Sequence, residues 1–299
     1  MPVLETSGVS IRFGGVQALR DVSLRVDEFE IVGLIGPNGA GKTTIFICIT
    51  GFYKPQEGSI TFQGNDVSNL PPHERSAKGM GRTFQNVGLV KTATVLENLV
   101  TAQHTAIRYG AVAGMVGAPS SFRAERVLRQ RADAILEILS LGHLRDRPVA
   151  GLPYGTLKRV EIATALATDP DLLLLDEPGS GMGPEEAHNL GDELLELRDT
   201  FDLSILMIEH HVPLVVRVCD YVYVLNFGEL LTEGEPQAVR QHPEVVAAYL
   251  GEEAPEAEEE AERREAAHDA AEVAPPPTPT PGAGSDRSPR RRPLKAHGR

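Results

Sequence analysis

The sequence runs to 299 residues, enough to bury a full core in one large domain or two small ones. With 41% hydrophobic and 24% charged residues it has the balance of a soluble globular protein, and 5% aromatics with no Trp argue against a base-stacking surface. The formal charge is −13, and only 11 of the 42 acidic and 8 of the 29 basic residues fall in 251–299, so the body is itself acidic and offers no electrostatic footprint for nucleic acid.

Cys48 and Cys219 fit no metal-ligand or redox spacing and read as two buried thiols in a reducing cytoplasm. The start of the chain has no secretory pattern, and no segment reaches the roughly 18 unbroken apolar residues of a spanning helix. A membrane role would therefore come through a partner.

Residues 3–13 alternate, with Val9, Ile11 and Phe13 on one side, and predict a half-buried strand. A second short strand is expected at Val22–Val26, and Glu30–Ile35 reads as a buried strand running into a glycine-rich turn. Helix follows from Lys42 to about Thr50, stopped by Gly51 and Pro55. Ser59–Gln63 and Gly81–Phe84 predict further short strands. From Asn86 to Gly151 the pattern turns helical, most clearly in Ala124–Leu141, where Val127, Leu128, Ile135, Leu136, Ile138 and Leu139 stand among Arg and Glu. A helical subdomain of about residues 86–155 is expected, with glycine-rich Tyr109–Ala118 as a loop between helices.

After Gly151 the alternation returns. Helix is predicted at Leu157–Ala167, strand at Asp171–Asp176, and helix at Pro184–Arg198 with Pro in its first turn. Strand at Ser204–Ile208, helix at Val212–Cys219, and strands at Tyr221–Leu225 and Glu229–Glu233 around an Asn226-Phe-Gly228 turn complete it. Such alternation implies a mostly parallel, helix-covered sheet. Order is expected to end near Gly251. Glu252–Glu272 carries ten carboxylates against Arg263 and Arg264, and a Pro/Thr/Gly/Ser stretch then leads to a basic end, so residues 252–299 read as a disordered tail.

Chemistry concentrates in a few places. Gly36-Pro37-Asn38-Gly39-Ala40-Gly41-Lys42-Thr43, followed by Thr44, satisfies G-x-x-x-x-G-K-[ST] between an apolar strand and a helix. Glycines let backbone N–H groups close around phosphate oxygens, and the helix N-terminus adds its dipole. Lys42 would reach the β and γ phosphates of ATP, and the Thr43 hydroxyl would ligate Mg²⁺. The run Leu172–Asp176 places a carboxylate at a sheet edge beside the metal, and Glu177 follows within reach of the water that attacks the γ phosphate. Gln85, after a short strand, would touch Mg²⁺ or that water. His210, after another, would hydrogen-bond the γ phosphate.

Taken with Leu152–Thr156, these segments in this order resemble the ATP-binding-cassette (ABC) ATPases over residues 3–250. More narrowly they are similar to the ATPase subunit of branched-chain amino acid importers. The matching segments are Arg12–Leu19, Gly81–Asn86, Val95–Asn98, Leu206–His210 and Pro243–Gly251. The resemblance implies an α/β fold, a P-loop NTPase core of the ABC ATPase type. That fold has a mostly parallel sheet, an N-terminal antiparallel β part and an inserted helical subdomain.

It also implies roles. Phe13 would stack on adenine, Glu177 would act as general base, Gln85 and Asp176 would serve the metal, and His210 the γ phosphate. Tyr154, Gly155 and Thr156 would complete the ATP site of a second ABC ATPase subunit in trans, in a homodimer or a heterodimer. The expected partners are membrane permease subunits and, indirectly, an external solute-binding protein, with the chain peripheral on the inner face of the cell membrane and no nucleic acid.

Two departures stand out. Where the family shows Leu-Ser-Gly-Gly-Gln this chain has Leu152-Pro153-Tyr154-Gly155-Thr156, and Gly183 stands where relatives carry Asp or Asn. They leave open a nucleotide-binding partner subunit with weak hydrolysis, while a third reading, a soluble non-transport ABC ATPase, is disfavoured by the acidic body and the short insert between Gln85 and the signature.

Overall fold

Strands buried on both faces organise the molecule. The structure is a computed structural model and describes residues 2–83, 88–103 and 119–249, without the side chains of 119–125. Strands β3 (Ile31–Ile35), β7 (Leu172–Asp176) and β8 (Ser204–Ile208) are buried at every position. Their side chains alternate between two apolar clusters: Ile31, Leu173 and Ile205 fall in one, Val32, Leu172 and Leu206 in the other. That is why they read as continuous apolar runs rather than as alternating strands.

Among the described residues the central sheet has the order β10-β9-β3-β8-β7-β6, with β6 at Met80–Arg82, β9 at Tyr221–Asn226 and β10 at Glu229–Gly234. All neighbours are parallel except β9 and β10, which form the expected hairpin. A second, antiparallel sheet has the order β2-β1-β4-β5: β1 is Pro2–Phe13, β2 Val16–Asp27, β4 Glu57–Phe62 and β5 Asn65–Asp66.

Helix α1 (Lys42–Ile49) and this second sheet share one apolar cluster. The other cluster takes α3 (Val95–Gln103), α4 (Pro119–Ile138), α5 (Tyr154–Ala167), α6 (Pro184–Phe201) and α7 (Val212–Val218). Gly142–Leu144 is a 3-10 turn, α8 is Pro236–Arg240, and a further helix covers 243–249.

Several expectations shift. β2 starts at Val16 rather than Val22, because Gly14-Gly15 turns the chain into a hairpin whose first residues pair with the end of β1. Phe13 does not join Val9 and Ile11. The pairing with β2 is irregular between Val9 and Ile11 and again between Ile11 and Arg12, and the ring ends 42% exposed while the other two are buried. Such irregularities re-aim a side chain. On α4, Ile135 and Leu136 are buried but Val127 is exposed and Leu128 half-buried, so within 126–138 the buried apolar stripe lies toward the C-terminal end.

Helix α2 (Pro72–Ala77) was not expected, and its reason lies at long range. Arg75 is 1% exposed and donates to the carbonyls of Cys48, Ile49, Ser68 and Leu70 at 2.7–3.1 Å. It thereby adds a charged donor to the last carbonyls of α1, where Cys48 O otherwise accepts only from the turn that ends the helix. The strand expected over Gly81–Phe84 ends at Arg82, with Thr83 outside it, while Phe84, the 109–118 loop and the tail from 252 lie outside the described residues.

Candidate functional site

The phosphate-loop residues occupy the turn between β3 and α1. Gly36 and Gly41 have φ of 145° and 102°, and an added Cβ at either would collide with neighbouring backbone: the carbonyl of Leu225 at Gly36, that of Ala18 at Gly41. Both positions therefore demand glycine, on conformation and on space. Gly41 caps α1 without a side-chain hydrogen bond, and no acid sits in the first turn. The helix dipole thus meets an incoming anion with no side-chain cap and no acid in the first turn to compete with it. Lys42 is buried, and its Nζ donates to the carbonyls of Gly36 and Pro37 at 2.5 and 2.7 Å. Asn38, Gly39 and Thr43 are exposed, Thr44 half-exposed and Ala40 buried.

Asp176 closes β7 at the same edge, 3% exposed, with its N–H donated to Thr83 Oγ1 at 3.3 Å. Its Oδ1 is buried without a hydrogen-bond partner. Burial pushes this carboxyl above the usual carboxylate range, Arg82 opposes that shift, and Glu177 adds to it. A buried acceptor with nothing to accept from fits a metal ligand or a metal-bound water. Thr43 and Asp176 thus suit Mg²⁺. No cluster of three or more His, Cys, Asp or Glu suited to a metal occurs among the described residues, and a cation bound mainly to phosphate and water needs none.

Glu177 turns out of the strand with φ 49°, its N–H donated to Ile208 O at 2.9 Å. His210 follows β8, and its Nδ1 lies 3.8 Å from Glu177 Oε1. The structure therefore brings Glu177 and His210 together, while Gln85 lies outside the described residues.

Tyr154, Gly155 and Thr156 form the first turn of α5, which Pro153 caps in an extended conformation. Gly155 is buried, Thr156 half-buried and the Tyr154 ring exposed, with Lys158 Nζ 5.7 Å from its centroid. An added Cβ on Gly181 would come within 2.9 Å of that ring, so the 179–183 loop and the start of α5 touch. Phe13 packs on Tyr53 with ring centroids 5.1 Å apart and both rings well exposed.

Two participants escaped the sequence reading. Tyr249 accepts the Gly36 N–H on its hydroxyl at 2.9 Å, tying the 243–249 helix to the phosphate loop. Glu209 is fully buried and accepts from the N–H groups of Gly179, His210 and His211. Its only signal was a charge directly after an apolar strand, which resembles any solvated strand exit.

Residues 19–180 match the family model described as ABC transporter, and residues 229–255 match that of the branched-chain amino acid ATP-binding cassette transporter. The chain is 43% identical over 251 residues to the high-affinity branched-chain amino acid transport ATP-binding proteins BraF of Pseudomonas aeruginosa and LivG of Escherichia coli K12. Each match covers 84% of this chain and 98% of the relative. The probable LivG of Archaeoglobus fulgidus is 38% identical, covering 84% and 96%. Among solved structures, the ADP conformation of MJ1267, an ATP-binding cassette of an ABC transporter, is similar with a TM-score of 0.72 and 34% identity, covering 84% of this chain and 99% of that one. A nucleotide-free ATP-binding cassette from an ABC transporter gives 0.72 and 35%, covering 83% and 99%.

Proposed function

The chain belongs to the ABC transporter family, and we propose that it hydrolyses MgATP to energise import of branched-chain or other aliphatic amino acids. The observation that carries the choice of solute is the match of residues 229–255 to the branched-chain amino acid transporter model, alongside relatives of that name over the whole folded body. No described helix is long and apolar enough to cross a membrane, so the translocation path belongs to permease partners. The chain would sit under them on the inner face, paired with a second, non-identical ATPase, while an external binding protein delivers the solute to the permease.

In this reading the adenine stacks on Phe13 and the phosphates settle on the amides of 36–44. Lys42 leaves two neutral carbonyls for the β and γ phosphates, a stronger, charge-assisted pairing. Thr43, Asp176 and Gln85 would hold Mg²⁺, which when bound neutralises part of the phosphate charge. Glu177 takes the proton of the attacking water as its oxygen bonds to the γ phosphorus, and the bond from that phosphorus to the β–γ bridging oxygen breaks with its electrons leaving on ADP. His210 donates to the γ phosphate and holds it in line. Tyr154, Gly155 and Thr156 approach the partner's γ phosphate, so hydrolysis follows closure of the pair.

The test is phosphate release from the full assembly in lipid bilayers. Leucine, isoleucine or valine with the binding protein should raise release several-fold. No stimulation by any aliphatic amino acid would remove the solute assignment.

A further inference from the structure

Among the described residues, Glu209 is the one charged residue of the site whose side chain has no access to water at all. Burying a carboxylate is costly unless hydrogen bonds replace its hydration. Here three backbone N–H groups do so: Gly179 at 2.6 Å on Oε1, and His210 and His211 at 3.0 and 3.1 Å on Oε2. These donors come from two chain segments. Gly179 opens the loop that runs from Glu177 to Gly183 and touches Tyr154, whereas His210 and His211 carry the turn out of β8. The backbone N–H of Glu209 is itself tied to Leu34 O at 3.3 Å, next to the phosphate loop. One carboxylate thus joins the loop that packs on Tyr154, a residue expected to approach the partner's ATP, to the segment that aims His210.

We infer that Glu209 is a positioning residue: it couples the 179–183 loop to His210, so that movement of the loop when the partner subunit closes sets His210 against the γ phosphate. This rests on the ATPase reading above. Gly179 has the shape the role requires. A Cβ there would come within 2.9 Å of Glu209 Oε1 and 3.1 Å of Leu214 Cδ2, so a side chain at this position would push the carboxylate or Leu214 aside.

The residue pair makes the coupling testable. In Glu209→Gln the amide offers one oxygen. Keeping it toward the two histidine N–H groups turns the NH₂ against Gly179, which cuts the link and keeps most of the local structure. Misplacement of a catalytic group by about 1 Å costs on the order of 100-fold. In the full transporter assembly, Glu209→Gln should therefore lower kcat by roughly tenfold to 100-fold with the ATP KM within about threefold and an unchanged melting transition. Because the effect runs through His210, adding Glu209→Gln to His210→Ala should cost little more than His210→Ala alone.

Gly179→Ala displaces the carboxylate from the other side. It should give the same kcat loss, and it decides the matter if Glu209→Gln does not fold. Wild-type kcat in Gly179→Ala, or losses that multiply in the double variant, would overturn the coupling. An assembly whose wild type releases no phosphate would overturn the ATPase reading and the coupling with it. An active wild type with unaffected variants overturns the coupling alone.

Discussion

His210 Nδ1 stands 3.8 Å from Glu177 Oε1, although the two residues leave different strands of the central sheet. The gap is too long for a direct hydrogen bond. Both side chains keep access to water, Glu177 at 35% exposure and His210 at 55%. Glu177 and His210 are therefore not bonded to each other, which in the proposed mechanism leaves the carboxylate for a water and the imidazole for a phosphate oxygen.

Glu177→Gln tests this arrangement directly. The amide keeps the side chain's shape and loses the proton acceptor, so ATP binding should persist while turnover falls by about 10²–10⁴-fold, the usual contribution of a general base. Turnover close to wild type in a protein that still binds ATP would take Glu177 out of the chemistry.

Phe13→Ala separates a recognition surface from a core contact. The ring is 42% exposed and touches the equally accessible Tyr53, so its removal opens no cavity and should change folding stability by less than about 1 kcal/mol. Nucleotide affinity should fall by roughly 1–3 kcal/mol, the range for stacking a base on an aromatic ring. Melts with and without MgATP measure both quantities. A large drop in the melting temperature with unchanged affinity would assign the ring to packing.

What could be read from the sequence was whatever is local. The phosphate loop is a contiguous pattern flanked by its own strand and helix, and β3, β7 and β8 announce themselves because full burial on both faces forces unbroken apolar runs. Residues whose meaning lies in distant partners were not legible. Arg75 looks like one charge in a short polar helix until its guanidinium is seen on the carbonyls of Cys48 and Ile49. Glu209 looks like a strand exit until Gly179 arrives from another loop. The first residues of β2 pattern poorly because the tight Gly14-Gly15 turn, rather than a clean apolar alternation, fixes their pairing.

The two thiols give a check on the core. Cys48 and Cys219 are both buried and free of disulfides. Burial pushes the Cys48 thiol up to about 11 against the opposing pull of Arg75, and pushes Cys219 higher still. Thiolate is the reactive form, so near pH 8 neither group should react with a maleimide in the native protein, and both should react after unfolding. Rapid native labelling of either would show that α1 or the end of α7 opens far more readily than this packing allows.

The altered signature segment yields the last prediction. Pro153 caps α5 with φ −57° and ψ 153°, and its carbonyl accepts the Leu157 N–H at 2.9 Å. Serine adopts that backbone without strain, so Pro153→Ser changes chemistry and leaves the turn intact. It adds a hydroxyl and an N–H at a helix N-terminus with no acid in its first turn, where a partner-bound γ phosphate would approach. A hydrogen bond to a charged group contributes about 1.5–3 kcal/mol, so ATP-dependent association with the second ATPase should tighten by roughly tenfold to 100-fold. The same hydroxyl is also able to turn inward and cap α5, which would raise stability by about 0.5–2 kcal/mol and leave association alone. Association measured with hydrolysis blocked by Glu177→Gln, beside a melting curve of the isolated subunit, tells the two apart. Tighter association assigns the new hydroxyl to the phosphate across the interface. A higher melting temperature with unchanged association assigns it to the helix cap, and closure is then limited elsewhere than at Pro153.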